Sequence, residues 1–203
     1  MNNFLLPPGF KDEIHEKAFL EHKYKNKIIE LFQSNGYALV KPPLVEYLND
    51  YNKKNVFLIN NENDEANESY ILRNDITLQI SRLASSRLNH KNRPLKLCYY
   101  GEVVRSQGTM LRPERQFLQV GAECIGEKSI LADVEILDIA YQALSLVGIK
   151  QISIELSSSE FLSFLLNKIT KKEKRNKIFI FLRRKDYNNC FKYLDSSLHE
   201  FTK

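Results

Sequence analysis

Three polar constellations interrupt the apolar runs of this 203-residue chain. The first is LRNDITLQISR, Leu72 to Arg82, which sets Asp75 and Thr77 at the junction of a strand and a helix. The simplest reading makes Asp75 or Asn74 the cap of that helix, and taken alone that reading is preferred. The second is YYGEVVRSQG, where Arg105 follows Val103 and Val104 near the end of a core strand. A guanidinium in that setting must find an anion, because burying an unpaired charge is costly. A carboxylate or phosphate ligand would satisfy it through paired hydrogen bonds. An internal ion pair with Glu102 or Glu123 would satisfy it equally well. The third is LRPERQFLQVGAECIG, Leu111 to Gly126. The period of two along a strand places Arg115, Phe117, Gln119, Gly121 and Glu123 on one face. Such a face can bind a zwitterion: Glu123 would hold an ammonium, the arginines a carboxylate, and Gly121 would leave room between them. A solvated polar face is the alternative.

The elements that must position these residues follow from periodicity. Ile14, Ala18, Phe19, Ile28, Ile29, Leu31 and Phe32 recur at helical spacing from Asp12 to Ser34, with Asp12 as N-cap and Asn35-Gly36 as stop. YALVKPPLVEY reads as a short strand broken by Pro42-Pro43, which mark an edge or a kink. Val56 to Ile59 and Ser69 to Leu72 are strand-like, and the acidic stretch NNENDEANE between them reads as a loop. A helix is expected over Asp75 to Leu88. Two long strands are expected over Leu95 to Arg105 and Arg115 to Ile125, joined by the polar loop SQGTMLRPE. Ser129 to Leu146 reads as an amphipathic helix ended by Gly148, and Gln151 to Leu156 as a further strand. SSSEFLSFLL opens a helix with a serine cap and Glu160 close behind, and the tail from Lys171 reads as helical. Long adjacent strands mixed with helices predict an α+β fold with a mainly antiparallel sheet.

Bulk composition narrows the function classes. Hydrophobic residues make up 43% and charged residues 27%, which is ordinary for a globular domain. The longest apolar runs, such as IFIFL from Ile178, are too short to span a bilayer, and no signal peptide is visible in MNNFLLPPGFKDE. Cys98, Cys124 and Cys190 form no metal spacing with His15, His22, His90 or His199, and read as free thiols in a reducing cytosol. The net charge of +5 reflects a C-terminal cluster of Lys168, Lys171, Lys172, Lys174, Arg175, Lys177, Arg183, Arg184 and Lys185. A solvated face is preferred there over nucleic-acid binding.

Taken together, the constellations resemble a known family. GEVVR, a loop and RQFLQVGAECIG resemble motif 2 of histidyl-tRNA synthetases: a strand ending in arginine, a loop, and a returning strand of pattern R-Q-F-x-Q-x-G-x-E. GYALVKPPLVEY resembles the motif 1 strand with its proline, and LRNDITLQISR stands where the synthetases carry R-P-E-G-T. The resemblance runs from about Leu6 through Leu156. The departures concern the adenylate chemistry. Asp75-Ile76-Thr77 replaces E-G-T, and Ser106, Gln107 and Gly108 follow Arg105 where the synthetases read R-x-E-R. No glycine-rich motif 3, R-Y-D-type histidine segment or anticodon-binding domain is visible.

DITLQISRLASSRL, RPLKLCYYGEVVR and LRPERQFLQVGAECIG are similar to the regulatory subunits of ATP phosphoribosyltransferase, paralogues of the synthetases. LRRKDYNNCFKYL is similar to a segment after that family's first helical insertion. The resemblance implies a class II aminoacyl-tRNA synthetase-like core, α+β, mainly antiparallel sheet flanked by helices, forming one domain over 1–203 that reads as truncated before motif 3. It implies a cytoplasmic protein of histidine biosynthesis with no catalytic residue, cofactor or metal of its own. Its expected partners are the short-form catalytic subunit in a hetero-oligomer and a second copy in a dimer, with neither nucleic acid nor membrane. L-histidine is the expected effector, at Asp75, Ile76, Thr77, Arg105, Gln119 and Glu123. A degenerate or fragmentary histidyl-tRNA synthetase is the alternative.

Overall fold

The computed structural model describes residues 5–59, 68–167, 169 and 172–193. The acidic loop expected between the second and third short strands falls almost wholly outside them. The sequence reading treats 1–203 as one domain. The chain groups into two compact units, Met1–Ile152 and Ser153–Lys203, and each is described by itself.

The first unit is organised around a long antiparallel hairpin, β5 (Leu95–Val104) and β6 (Gln116–Ile125). Its ten paired positions run from Leu95 opposite Ile125 to Val104 opposite Gln116. A two-residue strand, β1 (Ala38–Leu39), adds in parallel to β5. A second sheet is antiparallel throughout, with β4 (Tyr70–Leu72) between β2 (Val45–Tyr47) and β3 (Phe57–Ile59). Pro42 and Pro43 fall between β1 and β2, where no ladder hydrogen bond is required of them.

Alternation along the hairpin buries both of its faces. Leu95, Leu97, Tyr99 and Val103 pack with Ile76, Ile80 and Ala84 of α2 (Thr77–Ser85) and its approach. Cys98 faces the other way, with Ile29, Phe32 and Tyr37 of α1 (His15–Ser34) and its exit, and Ile139 of α3 (Ile130–Leu146). Each fully buried large aliphatic side chain contributes about 1.5–3 kcal/mol, which is why this central hairpin can hold charged residues at its ends.

Three expectations are corrected. α1 starts at His15 rather than Asp12, and Asp12 does not cap it. Ile14 occupies the cap position with no side-chain hydrogen bond, and His15 has a φ of 52°, which a right-handed helix through Asp12 could not accommodate. α2 is confined to Thr77–Ser85, because Ser86 turns away at ψ −90° with its hydroxyl donating to the Arg82 carbonyl. Gln151 to Leu156 forms no strand. It has no neighbouring strand to pair with among the described residues, and alternation alone cannot hold a ladder. The predicted helix stops hold: Gly36 and Gly148 take φ values of 85° and 91°, which favour glycine.

The second unit contains α4 (Ser159–Asn167), α5 (Lys172–Arg183) and α6 (Tyr187–Tyr193). Ile169, Ile178 and Cys190 form its small core. Among the described residues no helix is long and apolar enough to cross a membrane.

Candidate functional site

The site is assembled where α2 begins beside the middle of β6. Asp75 sits in the turn before α2. Its Oδ1 accepts the Thr77 N–H at 2.7 Å, a local turn bond made from one residue before the cap position, which Ile76 holds with no side-chain hydrogen bond; neither Asp75 nor Asn74 is the cap expected from the sequence. Its Oδ2 accepts from Gln119 Nε2 at 3.1 Å. The Gln119 Oε1 in turn accepts the Ile76 N–H at 3.0 Å, and these two bonds fix the orientation of the amide. One Asp75 carboxylate thus serves both the first N–H of the helix and the Gln119 amide.

A second chain runs beside the first. Tyr99 OH donates to Glu123 Oε1 at 3.2 Å and lies 3.1 Å from Thr77 Oγ1. A phenol has one proton, so with that proton directed at the carboxylate the Thr77 hydroxyl is the donor to Tyr99. Tyr99 is only 3% exposed. Burial, partly opposed by the Thr77 hydrogen bond and reinforced by Glu123, pushes its hydroxyl up to about 12. Tyr99 thus stays protonated at neutral pH and remains a donor to Glu123.

Arg105 follows β5, and its backbone N–H donates to the Arg115 carbonyl at 2.7 Å. Its guanidinium leans along the hairpin and sits 4.9 Å from the Phe117 ring centre. The only hydrogen bond it donates among the described residues goes to the Asn74 carbonyl at a long 3.4 Å. Neither Glu102 nor Glu123 pairs with it within 4.0 Å, so the internal ion pair left open by the sequence is not formed. Arg112 lies over the same ring at 4.7 Å.

The structure brings Asp75, Thr77, Gln119 and Glu123 together through these bonds, with Arg105 at the loop end of the hairpin. Ile76 enters only through its backbone N–H, because its side chain is fully buried in the core. Two parts of the zwitterion reading change. Gly121 does not leave room for a ligand: the Tyr99 ring occupies the space a side chain would need there. Arg115 is not available to a carboxylate. Its guanidinium is held between Phe10 and Phe57 at 5.2 and 4.5 Å and donates to the carbonyls of Pro8 and Arg105 at 3.0 and 3.3 Å.

Two residues escape the sequence argument. Tyr99 is one; its place opposite Gly121 is a cross-strand signal that fixes on pairing the two strands in register. The other is Arg73, which at 5% exposure is the buried guanidinium that the sequence places at Arg105. Arg73 Nε donates to the Glu102 carbonyl at 2.8 Å, and Nη1 donates to the carbonyls of Pro42 and Pro43 at 2.9 and 3.4 Å. Its other nitrogen packs against Gly101, where any side chain would overlap it. Burial lowers its affinity for the proton, with Glu102 and Glu46 opposing that effect. Arg73 ties the β4 end to the Pro-Pro segment and to β5, and is structural.

A cavity of about 460 Å3, lined among others by Lys11, Glu21, Glu102, Arg112 and Gln116, includes none of the six expected ligand residues. Among the described residues no group of His, Cys, Asp and Glu could hold a metal ion.

Comparison with known proteins bears on the family and the fold. The family model for histidyl-tRNA synthetase matches residues 9–200. The chain is 38% identical over 161 residues to the ATP phosphoribosyltransferase regulatory subunit of Rhodospirillum centenum, covering 75% of this chain and 41% of that protein. It is 30% identical over 196 residues to the subunit of the same name from Thermoanaerobacter pseudethanolicus, covering 94% and 50%. The chain therefore spans about half the length of these relatives. Among solved structures, an ATP phosphoribosyltransferase regulatory subunit/histidyl-tRNA synthetase from Bacillus halodurans superposes with a TM-score of 0.81 at 24% identity, over 94% of this chain and 50% of that one. Histidyl-tRNA synthetase from Nostoc shares the fold at a TM-score of 0.73 and 21% identity, over 89% and 43%. The class II synthetase-like α+β fold expected from the motifs is thus the observed one, and the chain belongs to the histidyl-tRNA synthetase family.

Proposed function

We propose that this chain acts as a regulatory subunit of ATP phosphoribosyltransferase, without turnover of its own, and that it serves the first step of histidine biosynthesis and its feedback control. Its partner in this reading is the short-form catalytic subunit. The chain self-associates as a dimer, and L-histidine is the effector. The observation that carries the reading is the state of the site. Asp75, Gln119, Tyr99 and Glu123 are held rigidly by one another, while Arg105 has no counter-ion among the described residues. This arrangement suits recognition of a small zwitterion, with Glu123 for a positive group and Arg105 for the carboxylate. The names borne by the relatives support the assignment.

Regulation then works by differential binding. Histidine favours one quaternary state, and coupling of this kind typically amounts to ~1–3 kcal/mol. The test is to mix the chain with the short-form catalytic subunit. Co-elution on gel filtration and a raised rate of phosphoribosyl transfer are expected; separate elution with an unchanged rate sinks the proposal.

The family match itself favours a second reading, a degenerate histidyl-tRNA synthetase. Asp75-Ile76-Thr77 and the Ser106-Gln107-Gly108 segment speak against it, since adenylate formation needs cationic groups positioned on phosphate. Histidine-dependent pyrophosphate exchange would establish this second reading in place of the first.

A further inference from the structure

The whole positive excess of the chain lies in its second unit. Residues 1–152 hold 19 Lys and Arg against 19 Asp and Glu, whereas residues 153–203 hold 11 against 6. Much of that charge is on α5. One side of α5 is committed to the unit's own core through Ile178, which is 1% exposed. The opposite side is exposed, and helical spacing arranges it in two adjacent rows. Lys172, Phe179 and Arg183 form one, and Lys177, Ile180 and, one residue past the helix end, Arg184 the other, its N–H still donating to the Ile180 carbonyl at 3.1 Å.

The chemistry of this face is mixed in a specific way. Phe179 and Ile180, at 42% and 46% exposure, form an apolar centre. Lys172, Lys177, Arg183 and Arg184 surround it. Among the described residues none of these four has a carboxylate within 4.0 Å. Arg183 instead lies 6.0 Å from the Phe179 ring centre, and Lys177 lies 5.4 Å from that of Tyr193. An apolar centre inside a charged rim is the anatomy of a protein interface. Against a nucleic-acid base, Ile180 offers no π-face to stack on, and Arg183 already lies 6.0 Å from the centre of the one ring at the middle, Phe179. A second copy of the same face would meet it charge against like charge, which is repulsive.

We propose that this face of α5 docks an acidic protein surface. Partner carboxylates would meet Lys172, Lys177, Arg183 and Arg184, and a partner apolar patch would cover Phe179 and Ile180. In the regulatory reading above, on which the identity of the partner rests, that protein is the short-form catalytic subunit.

The test titrates the full chain with the short-form catalytic subunit at low and physiological salt. It compares wild type, the triple variant Lys177→Glu/Arg183→Glu/Arg184→Glu, and Ile180→Asp. All four positions are exposed, so the far-UV circular dichroism of each variant should match wild type. Wild-type affinity should fall as salt rises. The triple variant should bind about 30-fold or more weakly with a flatter salt dependence, because rim charges act through steering and screening. Ile180→Asp should bind about 10-fold more weakly with the salt dependence kept, as expected for a residue at the centre of an interface. Wild-type affinity in both variants overturns the docking face and leaves the regulatory reading intact. Absence of any wild-type complex overturns the regulatory reading and this partner with it. A parallel titration uses bulk tRNA. Salt-sensitive tRNA binding lost in the triple variant, with the catalytic subunit still bound normally, would assign the face to RNA and overturn the proposal.

Discussion

The two faces of the β5–β6 hairpin alternate residue by residue along the same strands, yet Lys96 on one face and Glu123 on the other are treated in opposite ways. On the face toward α1 and α3, Lys96 Nζ lies 2.7 and 2.8 Å from the two Glu135 oxygens, and the Tyr37 hydroxyl donates to the same carboxylate at 3.1 Å. That charge is neutralised on the spot and pins α3 to the sheet. On the face toward α2, among the described residues, Glu123 receives only the neutral Tyr99 hydroxyl, and Arg105 only a carbonyl and an aromatic ring. Among the described residues no ion pair within 4.0 Å closes either charge. The paired face is built for stability. The other is oriented in advance by neutral donors, which hold a charge in place without cancelling it.

The comparison breaks first at Arg73, among the described residues the one buried cation of the site side, held by three carbonyls. Arg73→Ala removes the donor to three carbonyls and leaves a cavity, and should cost about 3 kcal/mol or more in chemical denaturation. A loss under 1 kcal/mol would mean that Arg73 is not the tie it is taken for. Gly121→Ala sharpens the contrast at the next level. The added methyl must displace the Tyr99 ring, so histidine affinity in calorimetry should fall at least tenfold, about 1.4 kcal/mol, with a smaller loss of fold stability than for Arg73→Ala.

Tyr99→Phe is gentler still. It leaves the ring in place and removes the hydroxyl, which is the donor to Glu123 and the acceptor for Thr77, so histidine binding should weaken several-fold, about 1 kcal/mol, with near wild-type unfolding. Equal histidine affinity in Tyr99→Phe would show that the hydroxyl does not set the carboxylate.

On the paired face, Glu135→Gln should cost at most about 1 kcal/mol, since the pair is a third exposed and partly screened. Its pH dependence has a definite sign. The Lys96 hydrogen bond holds the Glu135 carboxyl below its ordinary value. The stabilisation is therefore present above the unfolded-state value and lost as pH falls through the lower folded one. The stability difference between wild type and Glu135→Gln should shrink across that acidic window, and a difference constant from neutral pH downward would refute the pairing.

Much of the hairpin was legible because alternation and length carry real information there. Gln119 and Glu123 share a face by the period of two alone, and the register then places Tyr99 opposite Gly121. What was not legible depends on contacts between distant segments. Arg73 looks like an ordinary loop-edge arginine until the Pro42-Pro43 carbonyls fold over it. Arg115 looks like a ligand arginine until Phe10 and Phe57 arrive from elsewhere in the chain. Gln151 to Leu156 has a strand's alternation but no neighbouring strand among the described residues, and no local pattern reports a missing neighbour. Asp12 is a good cap residue overridden by the backbone at His15.

The most direct test of the central claim follows the rate of phosphoribosyl transfer by the short-form catalytic subunit while L-histidine is titrated, with wild-type chain or with Glu123→Gln. The account predicts that wild-type chain raises the rate, that histidine lowers it again, and that Glu123→Gln still raises the rate but is inhibited only at about tenfold or higher histidine. A rate that does not respond to the chain, or equal histidine sensitivity in the two proteins, would contradict it.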